Sequence, residues 1–225
     1  MADNRYDMKL IAAYVRAMAG DSVTGDIRNM PLDMLDDSEL DRLFSIGSEM
    51  GLKLYRFKNH EELPRVKKVL GFLKGVQPDS LLDIGSGRGV FLFPFLREFP
   101  WVPVTSLDLL DHRVELLNAL HDGGVETLTA YRQDICTWDM PDASFDVVTL
   151  LEVLEHIPDV AAAVRAAVRL AKRYVVVTVP SKPDDNPEHI HLLTKEKLEH
   201  LFHDAGCRKL SFDGVNGHLF MTASI

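Results

Sequence analysis

Only two cysteines occur in 225 residues, Cys136 and Cys207, so the chain has neither the pair spacing of a zinc site nor a disulfide framework. Long apolar runs are missing too. The longest, Val90 to Leu96, is far below the ~18 residues a bilayer-spanning helix needs, and the start, MADNRYDMK, lacks the apolar stretch of a secretory signal. Positive charge is scarce: 25 Lys and Arg face 34 Asp and Glu, and a formal charge of -9 opposes broad adhesion to nucleic acid or anionic lipid. These absences predict a cytoplasmic protein with reduced thiols and no membrane partner. What is present, 46% hydrophobic and 26% charged residues with a mean hydropathy of -0.03, is the composition of an ordinary globular protein. It excludes a disordered tail, a collagen-like rod and a coiled coil, and the length is enough to bury one large core.

The charges divide the chain near Val76. Residues 1–76 carry 12 basic and 12 acidic side chains and 77–225 carry 13 and 22, so the net charge sits in the second part. The spacing predicts three helices in the first part: Tyr6 to Met18 ending at Gly20, Leu40 to Met50 ending at Gly51, and a third from Pro64 to Gly75. This segment, 1–76, is expected to act as a helical lid that shapes the substrate pocket. Leu54 to Lys58 interleaves aromatic and basic residues, a pattern shared by single-stranded nucleic-acid sites and by ordinary packed loops.

From Ser80 the pattern changes. Short apolar runs at Leu81–Ile84, Val102–Leu107, Phe145–Leu151 and Tyr174–Val179, with a shorter one near Thr127–Tyr131, alternate with helical stretches at 90–98, 112–121, 160–171 and 194–205. Arg208–Gly214 and His218–Ser224 flank an Asn216-Gly217 turn signal. The expected fold is α/β: a doubly wound, Rossmann-like seven-stranded sheet, mostly parallel with a C-terminal antiparallel hairpin, filling a domain at 77–225.

Strand, glycine loop and helix follow one another directly in Leu81-Leu82-Asp83-Ile84-Gly85-Ser86-Gly87-Arg88-Gly89-Val90. Such a loop lets a ligand approach the backbone at a helix N-terminus. The dinucleotide fingerprint would need glycine at 90, where Val90 stands. The pattern Asp83-x-Gly85-x-Gly87-x-Gly89 instead resembles motif I of the class I S-adenosylmethionine (SAM)-dependent methyltransferases. Further along, Asp108 looks like that family's ribose-holding acid, Gln133-Asp134-Ile135 like its adenine-contacting segment, and Phe145-Asp146-Val147-Val148 like its fourth strand. The resemblance covers roughly 80–200 and implies cofactor contacts from Asp83, Gly85, Ser86, Gly87, Gly89, Asp108, Leu109, Asp134, Ile135 and Leu151. Taken singly, Asp134 also suits an Asx turn and Asp108 a helix cap.

After the fourth strand, Glu152-Val153-Leu154-Glu155-His156 places two carboxylates and an imidazole at the sheet edge that faces a ligand. One reading has Glu152, Glu155, His156 and His189 bind a divalent cation, magnesium, manganese or zinc, that orients an acceptor hydroxyl. His191 is the nearby alternative to His189. That arrangement resembles the small-RNA 3′-terminal ribose 2′-O-methyltransferases, and ubiquinone-pathway O-methyltransferases share the Glu-x-x-Glu-His element. The other reading has no metal, with His156 and Glu155 as catalytic groups, His156 taking a proton. The expected activity is methyl transfer from SAM to an oxygen of a small molecule. An RNA 3′ end is the alternative acceptor, and a non-catalytic SAM-binding regulator the alternative class.

Overall fold

Side-chain caps set where the first helices begin. The computed structural model describes residues 6–183 and 185–225. Helix α1 (Met8–Ala19) starts at Asp7, whose carboxylate accepts the Leu10 N–H at 3.3 Å. Helix α2 (Asp37–Glu49) opens with a capping box in which Asp36 and Glu39 each accept the other's backbone N–H at 2.9 Å. Helix α3 (Pro64–Val76) carries Pro64 in its first turn. The boundaries fall at these polar groups, so α1 starts after Tyr6 and α2 before Leu40. The aromatic-basic segment is a short 3-10 turn, Leu54–Phe57. Its Phe57 is fully buried, stacked on Phe93 at 5.4 Å and tilted against Tyr14 at 5.2 Å.

The rest alternates strand and helix: β1 (Leu81–Ile84), α4 (Leu92–Glu98), β2 (Val104–Asp108), α5 (Asp111–Asp122), β3 (Leu128–Arg132), β4 (Phe145–Leu151), α6 (Val160–Leu170), β5 (Ala171–Pro180), α7 (Lys195–Asp204), β6 (Lys209–Val215) and β7 (His218–Ser224). They form one seven-stranded sheet in the order β3-β2-β1-β4-β5-β7-β6. The first five of these strands pair in parallel, and β7 runs antiparallel to both β5 and β6. Asn216 and Gly217, at φ 37° and 86°, make the tight turn of the terminal hairpin. This is the α/β architecture that the sequence predicts. Among the described residues, no helix is long and apolar enough to cross a membrane.

Alternation along the strands builds two apolar layers. Leu81, Val104, Val147, Val176 and Phe220 face the helices α1 to α5, whereas Leu82, Leu107, Val148, Leu150 and Val177 face α6 and α7. Ile11, Val15, Leu43 and Phe57 of the N-terminal segment belong to the same buried cluster as Phe93, Leu117 and the first sheet face. Helices α1 and α2 pack on each other, and α1 packs on α5. β1 and β4 lie side by side at the centre, yet the chain winds outward from them in opposite directions. A crevice therefore opens at their carboxyl ends.

Candidate functional site

That crevice is a cavity of about 650 Å³, within the range of small-molecule sites. Its floor is the glycine loop. Gly85, at φ +67°, has no room for a side chain, since a Cβ would come within 2.6 Å of Val153. Gly89, at φ +74°, lies outside the lining, under the Phe93 ring, which a Cβ would meet at 2.4 Å. Two of the loop glycines thus face the cleft, and the third lets α4 pack close.

Asp83 is buried and organises the loop. Its Oδ1 accepts from the Thr149 hydroxyl at 2.6 Å and its Oδ2 from the Ser86 hydroxyl at 2.5 Å. Ser86 Oγ also lies 2.7 Å from Ser106 Oγ. Burial pushes the Asp83 carboxyl up to about 6, against the lowering effect of the two hydroxyls, and the nearby Asp108 charge pushes the same way as burial.

Asp108, 5% exposed at the end of β2, lines the cavity. Its Oδ2 accepts from the Gly87 N–H at 3.1 Å and pairs with Arg113 at 3.3 Å, while Oδ1 accepts from the Leu110 N–H at 3.0 Å. This carboxylate tethers the glycine loop to the start of α5. Leu109, Ile135 and Leu151 line the same cavity, as does Asp134, whose Oδ1 makes an Asx turn with the Cys136 N–H at 2.8 Å. The Cys136 thiol is raised to about 11, chiefly by burial and then by Asp134, which keeps it protonated at neutral pH.

Glu155, His156 and His189 each place a ligand atom within 4.8 Å of the others. Two contacts create the group. The backbone N–H groups of Ile190 and His191 donate to the Glu155 carbonyl at 3.0 and 3.3 Å, drawing the segment after β5 against the 3-10 turn at Leu154–His156. His156 Nδ1 sits 2.9 Å from the Glu188 carbonyl, which selects the tautomer that donates from Nδ1 and leaves the lone pair on Nε2. The His156 and His189 rings meet edge-on, with centroids 4.7 Å apart. His191 is used elsewhere, Nε2 lying 3.1 Å from the Ile157 carbonyl.

Glu152 does not join that group. Its backbone turns to φ +59° at the end of β4, its N–H pairs with the Thr178 carbonyl at 2.9 Å, and its carboxylate lies 2.9 Å from His218 Nδ1 on β7. It still lines the cleft, together with Thr178. Among the lining or partner residues that escaped the sequence reading are Arg65 on α3, Arg113 on α5 and His218. Arg113 stands five residues after the acid it pairs with, a local spacing that a reader could find. His218 comes from across the sheet and leaves no local signal.

A family model described as a methyltransferase domain matches residues 55–211. The ubiquinone biosynthesis O-methyltransferase of Alkalilimnicola ehrlichii is 36% identical over 111 residues, covering 48% of this chain and 43% of that one. Its counterpart in Idiomarina loihiensis is 30% identical over 152 residues, covering 61% and 57%. The chain thus spans about half the length of these curated relatives. A SAM-dependent methyltransferase from Archaeoglobus fulgidus superposes with a TM-score of 0.60 at 15% identity, over 81% of this chain and 99% of that one, a likeness of fold.

Proposed function

From the chain's membership of the methyltransferase-domain family, within the class I SAM-dependent superfamily, we propose that it transfers a methyl group from SAM to an oxygen of a small molecule. The observation that carries this reading is the shared cleft. The Asp108 carboxylate and the open glycine loop stand at one part of it, and Glu152 and His156 at another. The residues fit the cofactor: a buried carboxylate suits two ribose hydroxyls, the backbone at Gly85 and Gly87 admits the methionine part, and Asp134 with Ile135 flanks the adenine. SAM supplies an already activated methyl group. The protein then has to align the acceptor with it and exclude water.

His156 serves as the proton acceptor. Its Nδ1 is engaged by the Glu188 carbonyl, so Nε2 is the atom that takes the acceptor's proton, and the buried Glu155 beside it stabilises the imidazolium. One carboxylate and two imidazoles also suit a divalent cation, which Glu155, His156 and His189 would hold and whose charge would lower the pKa of an acceptor hydroxyl. The names of the relatives and the net charge favour a small acceptor over a nucleic acid.

Calorimetric titration with S-adenosylhomocysteine, after chelation and again with manganese, tests both parts. The reading requires saturable binding that weakens in Asp108→Ala. Manganese uptake abolished in His189→Ala would assign the three-residue group to a metal, and absence of uptake would leave His156 as a metal-free base. No binding of S-adenosylhomocysteine under either condition would overturn the cofactor assignment.

A further inference from the structure

Glu152 stands at the end of β4 beside the glycine loop. Its backbone takes φ +59° with the N–H on the Thr178 carbonyl at 2.9 Å, and the next residue, Val153, packs on Gly85. One carboxylate oxygen, Oε2, lies 2.9 Å from His218 Nδ1, and both side chains are 25% exposed. The other, Oε1, is buried with no hydrogen-bond partner. His218 opens β7 opposite Pro180 of β5, and the neighbouring Gly217 carbonyl accepts the Ser181 N–H at 2.9 Å. The tip of the terminal hairpin is thereby latched to the sheet edge that bears the cleft.

A carboxylate with one oxygen buried and unmet is costly by itself, and a nearby cation offsets that cost. Coulomb attraction needs no contact, and a site with little water screens it weakly. The cofactor brings such a cation in one form only: SAM carries a sulfonium and S-adenosylhomocysteine an uncharged thioether. The strand order β3-β2-β1-β4 gives the cleft a direction. Asp108 ends β2 and Asp134 follows β3, the adenosine side of the proposed cofactor site, which leaves the methionine part and its sulfur to β1 and β4, where Glu152 lines the wall. The other acids of the cleft are engaged or solvated. Asp108 pairs with Arg113, Asp83 lies under the loop with Thr149 and Ser86, Asp134 makes its turn, and Glu188 is exposed. Glu155 belongs to the group with His156 and His189. Arg65 and Arg88 also line the cleft and suit the methionine carboxylate, which both forms of the cofactor share.

Given SAM as the cofactor, on which this inference depends, we propose that Glu152, held in place by His218, selects the charged sulfonium over the neutral thioether. When the methyl passes to the acceptor oxygen, the C–S electron pair stays on sulfur, the acceptor's proton goes to His156, and the charge that Glu152 attracts is gone. The cleft then loosens on its product. Calorimetry on the full chain, after chelation and without acceptor, measures the dissociation constants of SAM and S-adenosylhomocysteine, and their ratio is the readout because it cancels any general loss of binding. Glu152→Gln, which removes the charge and keeps the size, should shift the ratio about three- to tenfold toward S-adenosylhomocysteine. His218→Ala should shift it the same way by less, and His218→Gln, which keeps an N–H donor, should restore it. Glu188→Gln removes a carboxylate that water screens and should leave the ratio unchanged, and an equal shift there would overturn the assignment to Glu152. Binding of both ligands by a folded Glu152→Gln at the wild-type ratio would overturn the inference and leave the cofactor reading standing. No binding of either ligand by the unsubstituted chain would overturn both. If Glu152→Gln does not fold, an unmoved ratio in His218→Ala overturns the inference.

Discussion

Two buried aspartates at the ends of neighbouring strands do opposite work. Asp108 meets N–H donors with both oxygens and stands at the cavity surface, so its removal should act mainly on the ligand. For Asp108→Ala, affinity for S-adenosylhomocysteine should fall by about 10- to 100-fold, the loss of one or two hydrogen bonds to a charged group. Calorimetry measures this directly, and unchanged affinity would remove Asp108 from the ribose site. Asp83 instead holds the loop and carries a carboxyl raised to about 6. An unfolded aspartate titrates near 3.9, so the folded state binds the proton more tightly between these values. The stability it contributes is complete below pH ~4 and is lost as pH rises through about 6, by about 2–3 kcal/mol. Asparagine cannot ionise, so the unfolding free energy of the wild type minus that of Asp83→Asn should fall by about this amount from pH 4 to 7. A flat difference in urea melts across that range would show that Asp83 titrates as it does in water.

At the scale of elements, one side chain ties α3 to the bottom of the sheet. Arg173 on β5 donates to the Val76 and Gln77 carbonyls at 3.1 Å and grips Asp146 on β4 with two N–H groups, while Asp146 also accepts from the Asp79 N–H at 2.9 Å. This clamp fixes the helix whose Arg65, Val66 and Val69 reach the cofactor cleft. The arginine holds the Asp146 carboxyl below the usual range. The stability of the pair is therefore present above the unfolded aspartate pKa and lost as pH falls through the lower folded value. Arg173→Ala should cost about 1–3 kcal/mol at pH 7, toward the low end because the guanidinium is 42% exposed, and less at pH 3. A penalty equal at both pH values would show that the lost contacts are the backbone carbonyls alone. The terminal hairpin illustrates a different kind of coupling, since β7 delivers His218 to Glu152 across β5. Glu152 adopts a backbone conformation that few non-glycine residues take, and it does so where three strand ends converge on the cleft.

Over the whole molecule, what could be read from the sequence was what repeats or stays local. Apolar runs bounded by turn residues marked the sheet, Asn216-Gly217 marked the hairpin, and the Asp83 to Gly89 spacing marked the cleft, because each is written within about ten residues. The partners that tune the site come from distant strands or helices: Arg65, and His218 facing Glu152. No period or local motif records them. The placement of residues 1–76 was hidden for the same reason, since amphipathic spacing shows that a helix has an apolar face and not what covers that face. In the structure α1 packs on α5 and α2 packs on α1, and among the described residues of this segment only those of α3 reach the cleft. A detachable lid would leave a folded domain behind when removed. Here deletion of residues 1–63 strips away the fully buried Ile11, Val15, Leu43 and Phe57 and leaves Phe93 and Leu117 uncovered. At about 1.5–3 kcal/mol for each large side chain, the loss is on the order of 6–12 kcal/mol, as large as the whole stability of a typical domain. The full chain should therefore unfold in one cooperative calorimetric transition, and the chain starting at Pro64 should show none. A truncated chain that melts sharply and still binds S-adenosylhomocysteine would establish the first 63 residues as a separable unit.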